Sequence, residues 1–200
     1  MGRDITVVRP QIPSVGFKTD GEYLTAQELP LCPEGIHQAR ALREELQDVP
    51  LSTIYCSDLK PAIETAAIIA EPHGIEPKIR AGLREISVGE WGESKSAEVQ
   101  QLYSGQSGHD MLHFRPPGGE NIFECTTRVI PAFYDILNST FENMAIVGHP
   151  VVNRIILCQV LRVPLENLFE LDQRYGSVNH IYCDGTNMKI KSMNGDDQSP

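Results

Sequence analysis

Three places in this 200-residue sequence put side chains capable of proton or anion chemistry at the end of a strand-forming run. Arg9 closes the run from Ile5, Cys56-Ser57-Asp58 closes the run from Leu51, and Gly148-His149 closes the run from Met144. Strand exits matter because in open α/β sheets ligands bind beyond the carboxyl ends of the strands. An imidazole changes charge near neutral pH and can shuttle a proton. A guanidinium offers a planar fork of donors to a carboxylate or phosphate, and a thiol beside a cation can ionise and attack. Each group also has a plainer reading: His149 as a satisfied structural histidine, Arg9 as an ion-pair partner, Cys56 as a buried thiol.

The elements that must hold these groups alternate short β-rich runs with segments of helical period, which predicts an α/β fold. Ile5 to Arg9 is a nearly continuous apolar run suited to a strand covered on both faces, ended by Pro10 and Pro13. A loop fills Gln11 to Leu31, a length that itself hints at function. Cys32-Pro33-Glu34-Gly35 opens a helix with proline in its first turn. Ile36, Ala39, Leu42, Arg43 and Leu46 continue it as one buried stripe. Leu51 to Cys56 reads as the second strand, Ser57-Asp58 as a helix cap, and Ala62 to Ala70 as a mostly buried helix ending near Gly74.

Beyond residue 80, Gly, Ser and Pro punctuate Ser87 to Gly119, with a short helical stretch near Ser96 to Tyr103; this segment reads as an insertion covering the sheet. A helix is predicted over Glu120 to Leu137, kinked at Pro131. Met144 to Gly148 reads as a third buried strand and Val151 to Leu161 as a helix. Ser177 to Cys183 and Met188 to Ser192 read as a hairpin about Asp184-Gly185. The organisation is one domain over 1–193 with a covering insertion at about 87–119, and a frayed tail over 194–200.

Composition narrows the function. Seventeen Lys and Arg against 27 Asp and Glu give a net charge of −10, the wrong sign for nucleic-acid backbones or anionic membranes. No stretch approaches the roughly 20 apolar residues of a membrane span. The N-terminal residues lack the apolar core and cleavage site of a signal peptide. The expectation is a cytoplasmic protein with neither nucleic acid nor membrane as partner. The five cysteines, Cys32, Cys56, Cys125, Cys158 and Cys183, form no Cys-x-x-Cys pair, so reduced thiols are expected. No His, Asp or Glu grouping has ligand spacing, so neither metal nor cofactor is predicted.

The order of segments resembles the histidine phosphatase superfamily, the branch that includes phosphoglycerate mutases and small-metabolite phosphatases. That family's Leu-Thr-x-x-Gly helix start is similar to Leu31-Cys32-Pro33-Glu34-Gly35. Its Ser-Asp-Leu-x-Arg-Ala-x-x-Thr-Ala segment is similar to Ser57-Asp58-Leu59-Lys60-Pro61-Ala62-Ile63-Glu64-Thr65-Ala66. Its Leu-x-Glu and Gly-x-Trp segment appears as Leu83-Arg84-Glu85 through Gly89-Glu90-Trp91-Gly92. Pro117-Gly118-Gly119-Glu120 and Ile146-Val147-Gly148-His149 complete the set in the family's order. The resemblance implies a three-layer sandwich around a mostly parallel sheet, phosphoglycerate mutase-like.

Two positions depart from that pattern. Where the family's first strand ends in Arg-His-Gly, with a histidine that attacks phosphorus, this chain has Arg9-Pro10-Gln11. Where a second arginine clamps the phosphoryl oxygens, it has Pro61. In place of the Gly-x-Thr-x-x-Asn continuation stands a run that begins Ile12-Pro13-Ser14. The resemblance leaves Arg9 as an anion-binding residue, His149 as the second phosphate-pocket histidine and Glu85 as a proton donor; the plain alternative for Glu85 is a solvated loop carboxylate. Cys56, Ser57, Lys60, Arg84 and Gly148 are the further pocket candidates, Lys60 and Arg84 as substitute cations. With roughly half the family's cations absent from the matched positions, phosphoryl transfer loses both nucleophile and charge stabilisation.

Two functions stand as expectations. One is an enzyme with altered acid–base chemistry on a small anionic metabolite, with His149 and Glu85 catalytic. The other is a non-catalytic pseudophosphatase that binds a ligand or protein partner, a residual phosphomonoesterase ranking below both. A homodimer is a candidate assembly.

Overall fold

A computed structural model describes residues 2–8, 18–19, 22–23, 29–90, 112–194 and 196–197. Strand β1 spans Arg3–Val8, β2 Lys18–Thr19, β3 Glu22–Tyr23, β4 Thr53–Cys56, β5 Lys78–Ile79, β6 Met144–Val147, β7 Val178–Asp184, β8 Asn187–Met193 and β9 Asp196–Asp197. Helix α1 spans Pro33–Leu46, α2 Lys60–Ala70, α3 Ile122–Ser139 and α4 Pro150–Leu161. The main sheet has the order β5-β4-β6-β1-β7-β8-β9. Strands β5, β4, β6 and β1 pair in parallel, and β7, β8 and β9 extend the sheet antiparallel beyond β1. This is the α/β sandwich the sequence predicts, with its parallel half on the side that carries the strand exits.

Successive strand residues point to opposite faces, and each face meets its own helices. Ile5, Val7, Tyr55, Met144 and Ile146 pack with Phe133 and Ile136 of α3 and with Ile155 and Ile156 of α4. Val8, Ile54, Cys56, Ala145 and Val147 pack with Leu42 and Leu46 of α1 and with Ala62, Ala66 and Ile69 of α2. The central strands β4 and β6 are buried at every position, as expected for parallel strands covered on both sides.

Several local expectations are corrected. The buried stripe of α1 is Gly35, Ala39, Leu42 and Leu46. Ile36 is 37% exposed, because one residue along a helix turns the side chain by about 100°. Helix α2 starts on Leu59 without a side-chain cap, so Ser57-Asp58 does not cap it; both side chains are engaged elsewhere. Pro131, where a kink is expected, lies inside a helix that runs on to Ser139. The carbonyl it leaves without an intrahelical donor belongs to Thr127, which like Pro131 is exposed, so water can satisfy it. The hairpin turn is Gly185-Thr186, since Asp184 pairs with Asn187 and Gly185 takes a φ of +60°. Residues 196–197, read as frayed, pair with β8. The helical stretch near Ser96 to Tyr103 lies outside the described residues, as does most of the covering insertion.

Candidate active site

The carboxyl ends of β1, β4 and β6 lie at one edge of the sheet, and backbone hydrogen bonds continue one step past the strands. Gly148 N donates to the Val8 carbonyl at 3.1 Å, and Ser57 N donates to the Val147 carbonyl at 3.3 Å. Gly148 and Ser57 are thereby fixed to the same edge. A Cβ at Gly148 would lie 2.4 Å from Asn153 Oδ1, so glycine lets the chain pass close beneath that buried side chain. Asn153, fully buried, donates from Nδ2 to the Val8 carbonyl at 3.2 Å, and so pins the end of β1 one residue before Arg9.

His149 is the N-cap of α4, with extended backbone at φ −144° and ψ 167°. Pro150 accounts for this: a residue before proline is pushed out of the helical region, while proline itself suits the first helical position. The His149 carbonyl then accepts the first intrahelical bond, from Asn153 N at 2.7 Å. The side chain is 5% exposed, and its Nε2 lies 2.6 Å from Ser57 Oγ. Ser57 Oγ also accepts from Leu59 N at 3.3 Å. With one lone pair so occupied, the hydroxyl can donate to a neutral imidazole or accept from a protonated one. The pair therefore holds the ring in either charge state.

Glu85 reaches the same helix terminus. Its Oε1 accepts from Ile86 N at 2.9 Å and its Oε2 from Val151 N at 3.2 Å. Val151 is the second residue of α4, so the carboxylate satisfies one of the amides that a helix start leaves without a partner, and the helix dipole favours its negative charge. Two protonatable side chains, His149 and Glu85, thus share the start of one helix.

Arg84 and Asp58 form a bidentate ion pair at the rim. Arg84 Nε donates to Asp58 Oδ1 at 3.0 Å, and Nη2 donates to Oδ2. The bond from Arg84 holds the Asp58 carboxyl below the usual carboxylate range; partial burial works against this, and the charge of His149 adds to the lowering. Asp58 in turn raises the Arg84 guanidinium. Arg84 therefore lies near the site, but its fork is already occupied.

The other candidates separate. Lys60 is exposed at the first position of α2, and Pro61, its neighbour, is buried. Cys56 is placed as a buried thiol: it is fully buried and packs in the cluster formed with α1 and α2, and burial, with a smaller contribution from Asp58, pushes its thiol up to about 11. Cys125, Cys158 and Cys183 are buried fillers, whereas half-buried Cys32 caps α1, its Sγ accepting from Gly35 N at 3.3 Å. Arg9 and Pro10 lie outside the described residues, as does His109; His113 is exposed and stacks on Phe123 at 6.5 Å between centroids.

The sequence marks Asp58 as part of a strand exit and as a cap but not as the partner of Arg84, and a buried asparagine inside an apolar helix, Asn153, carries no pattern that marks it. Among the described residues, no group of three His, Cys, Asp or Glu side chains is placed to hold a metal ion, and no helix is long and apolar enough to cross a membrane.

Known proteins place this architecture. The chain is 27% identical over 172 residues to the adenosylcobalamin/alpha-ribazole phosphatase of Salmonella typhimurium, covering 82% of this chain and 84% of that one. It is 26% identical over 161 residues to a 2,3-bisphosphoglycerate-dependent phosphoglycerate mutase of Cytophaga hutchinsonii, covering 75% and 74%. The solved structure of YhfR from Bacillus stearothermophilus superposes with a TM-score of 0.80 at 25% identity over 97% of both chains. Residues 17–196 match the histidine phosphatase superfamily (branch 1), a range that starts after Arg9 and Pro10. On that match, together with the sheet order and the shared strand edge, the chain belongs to the histidine phosphatase superfamily.

Proposed function

We propose that this chain is a phosphoglycerate mutase-like enzyme that has given up phosphohistidine chemistry and performs acid–base chemistry on a small anionic metabolite. The observation that carries this reading is the placement of His149 and Glu85 at the start of the same helix, α4, in a sequence with proline at the family's nucleophile position. Pro10 has no side chain that can attack phosphorus, so a phosphoryl group has no histidine to move to there. His149, held by Ser57 in either charge state, takes a proton from the substrate, and Glu85 supplies or returns one. Arg9 anchors the anion. The cationic field supports a carboxylate or a singly charged ester better than a free phosphate dianion, because Pro61 contributes no charge and Arg84 is matched by Asp58.

The same Asp58–Arg84 pairing favours a second reading, a pseudophosphatase that binds its ligand or a protein partner without turnover. A panel separates the two. Purified protein is incubated with alpha-ribazole phosphate, 3-phosphoglycerate, p-nitrophenyl phosphate and a set of small carboxylates, and each compound is followed by NMR for binding and for chemical change. The acid–base reading expects a changed product from at least one bound anion without release of phosphate. Binding throughout the panel with no product would support the pseudophosphatase, and rapid phosphate release would overturn both.

A further inference from the structure

We infer that Arg128 and Glu120 are positioning residues for Glu85, a clamp that fixes this carboxylate on the start of α4; the functional meaning of the clamp rests on the role proposed for Glu85. Arg128 projects from α3 and directs both of its Nη groups at the segment that carries Glu85. Its Nη1 donates to the carbonyls of Gly82 at 3.1 Å and Arg84 at 2.6 Å, and its Nη2 to the carbonyl of Glu85 itself at 3.1 Å. Glu120 completes the grip. Its Oε1 accepts from Arg128 Nε at 2.8 Å and its Oε2 from Arg128 Nη2 at 2.7 Å. Oε2 also accepts from Ser87 N at 3.1 Å, while Glu120 N donates to the Ser87 carbonyl at 2.8 Å. Residues 82 to 87 are thus held from both sides of Glu85 by one ion pair.

The pair is half-buried on both partners, so it is shielded from solvent more than a surface bridge. Its bidentate geometry requires the planar fork of arginine, which a lysine cannot reproduce. Tight backbone packing keeps the segment close to the clamp. A Cβ on Gly82 would lie 2.6 Å from the Ala132 Cβ of α3, and a Cβ on Gly119 would lie 2.6 Å from the Ser87 carbonyl oxygen. Gly89 takes a φ of +56° with its Cα against Pro117 and Gly118. The reach of Arg128 and Glu120 into the site runs through Glu85, whose carboxylate meets Val151 N.

Amide hydrogen exchange, read residue by residue by NMR on the full chain, tests this without a known substrate. Arg128→Lys and the milder Glu120→Gln should each speed exchange at Ile86 N and Val151 N by about tenfold or more, in line with losing hydrogen bonds to a charged group. Exchange at Ile146 and Ile181 in the sheet should stay unchanged. In the background of Glu85→Ala, where Val151 N has already lost its acceptor, adding Arg128→Lys should produce no further change at Val151. Unchanged exchange at Ile86 and Val151 would overturn the clamp. So would a uniform rise across the sheet, or a full extra effect in the Glu85→Ala background, since each means that Arg128 acts by a route other than Glu85. A negative substrate panel would refute the acid–base role while leaving this exchange pattern intact, so the two failures are distinguishable.

Discussion

Two helix starts flank the shared strand edge, and they are built in opposite ways. At α4 the N-cap is itself a protonatable side chain: His149 is extended by Pro150, held by Ser57, and joined by the Glu85 carboxylate on Val151 N. At α2 the N-cap is Leu59 with no side-chain cap, and the first two helical residues are exposed Lys60 and buried Pro61. The charged pair nearby, Asp58 and Arg84, is closed on itself. One start gathers protonatable groups that can change charge; the other carries exposed Lys60 beside an Asp58–Arg84 pair whose charges already cancel. Under the function proposed above, one half of the site keeps an ordered set of protonatable groups while the other, where the family resemblance expects a clamping arginine, has Pro61.

The largest way to break this comparison is at α4. His149→Ala is expected to lower kcat on the true substrate by roughly 10²–10⁴-fold, the usual contribution of general acid–base catalysis, with KM changed little. Steady-state kinetics on the compound identified by the panel checks it, and a loss confined to KM would assign His149 to uniform binding instead.

At α2 the expected effect is smaller and opposite in sign. Asp58→Asn releases Arg84 from its partner and should tighten binding of a small anion, by up to about fivefold given that an exposed pair is worth about 0–1 kcal/mol. Calorimetric titration with 3-phosphoglycerate measures this. Equal or weaker affinity would mean that Arg84 does not face the anion.

A pH experiment sharpens the contrast between the rim pair and the more buried one behind it. Arg128 holds the Glu120 carboxyl below its ordinary value near 4.5, with a further bond from Ser87 N, against some burial cost. A depressed folded-state value means that Glu120 contributes stability above pH 4.5, and that this contribution is lost as the pH falls through the lowered value. Glu120→Gln should flatten the acid limb of a denaturation-against-pH curve more than Asp58→Asn does, because the Asp58 pair is more exposed and better screened. The reverse order would contradict the placement of the two pairs.

The smallest expected effect is a null one. With its thiol at about 11 and fully buried, Cys56 should resist iodoacetamide near neutral pH in the native protein, leaving half-buried Cys32 as the site modified first. Rapid labelling of Cys56 would return it to the cleft.

Legibility in the sequence tracks how local each cause is. Strands β4 and β6 and helices α2 and α4 are legible as apolar runs because each is buried on most of its surface, and His149 stands out because its glycine and proline neighbours punctuate the chain. Strand β5 has only two residues, too few for any periodicity. Periodicity misplaces the face of α1 at Ile36 because Gly35 and Ala39 line the contact, and small residues carry little hydrophobic signal. Cys32 is hard to read as a cap because caps are sought among Ser, Thr, Asp and Asn. The pairings of Asp58 with Arg84 and of Glu120 with Arg128 join residues from different elements, and no local pattern announces them.

The central claim, acid–base chemistry without a phosphohistidine, is tested most directly by trapping the phosphoenzyme. Wild-type protein and the Pro10→His, Pro61→Arg double variant are mixed with 3-phosphoglycerate or p-nitrophenyl phosphate, quenched under alkaline conditions that preserve phosphohistidine, and weighed intact. The account predicts no added phosphoryl group on the wild type, and an acid-labile one on the double variant. An acid-labile phosphoryl group on the wild-type chain would contradict it.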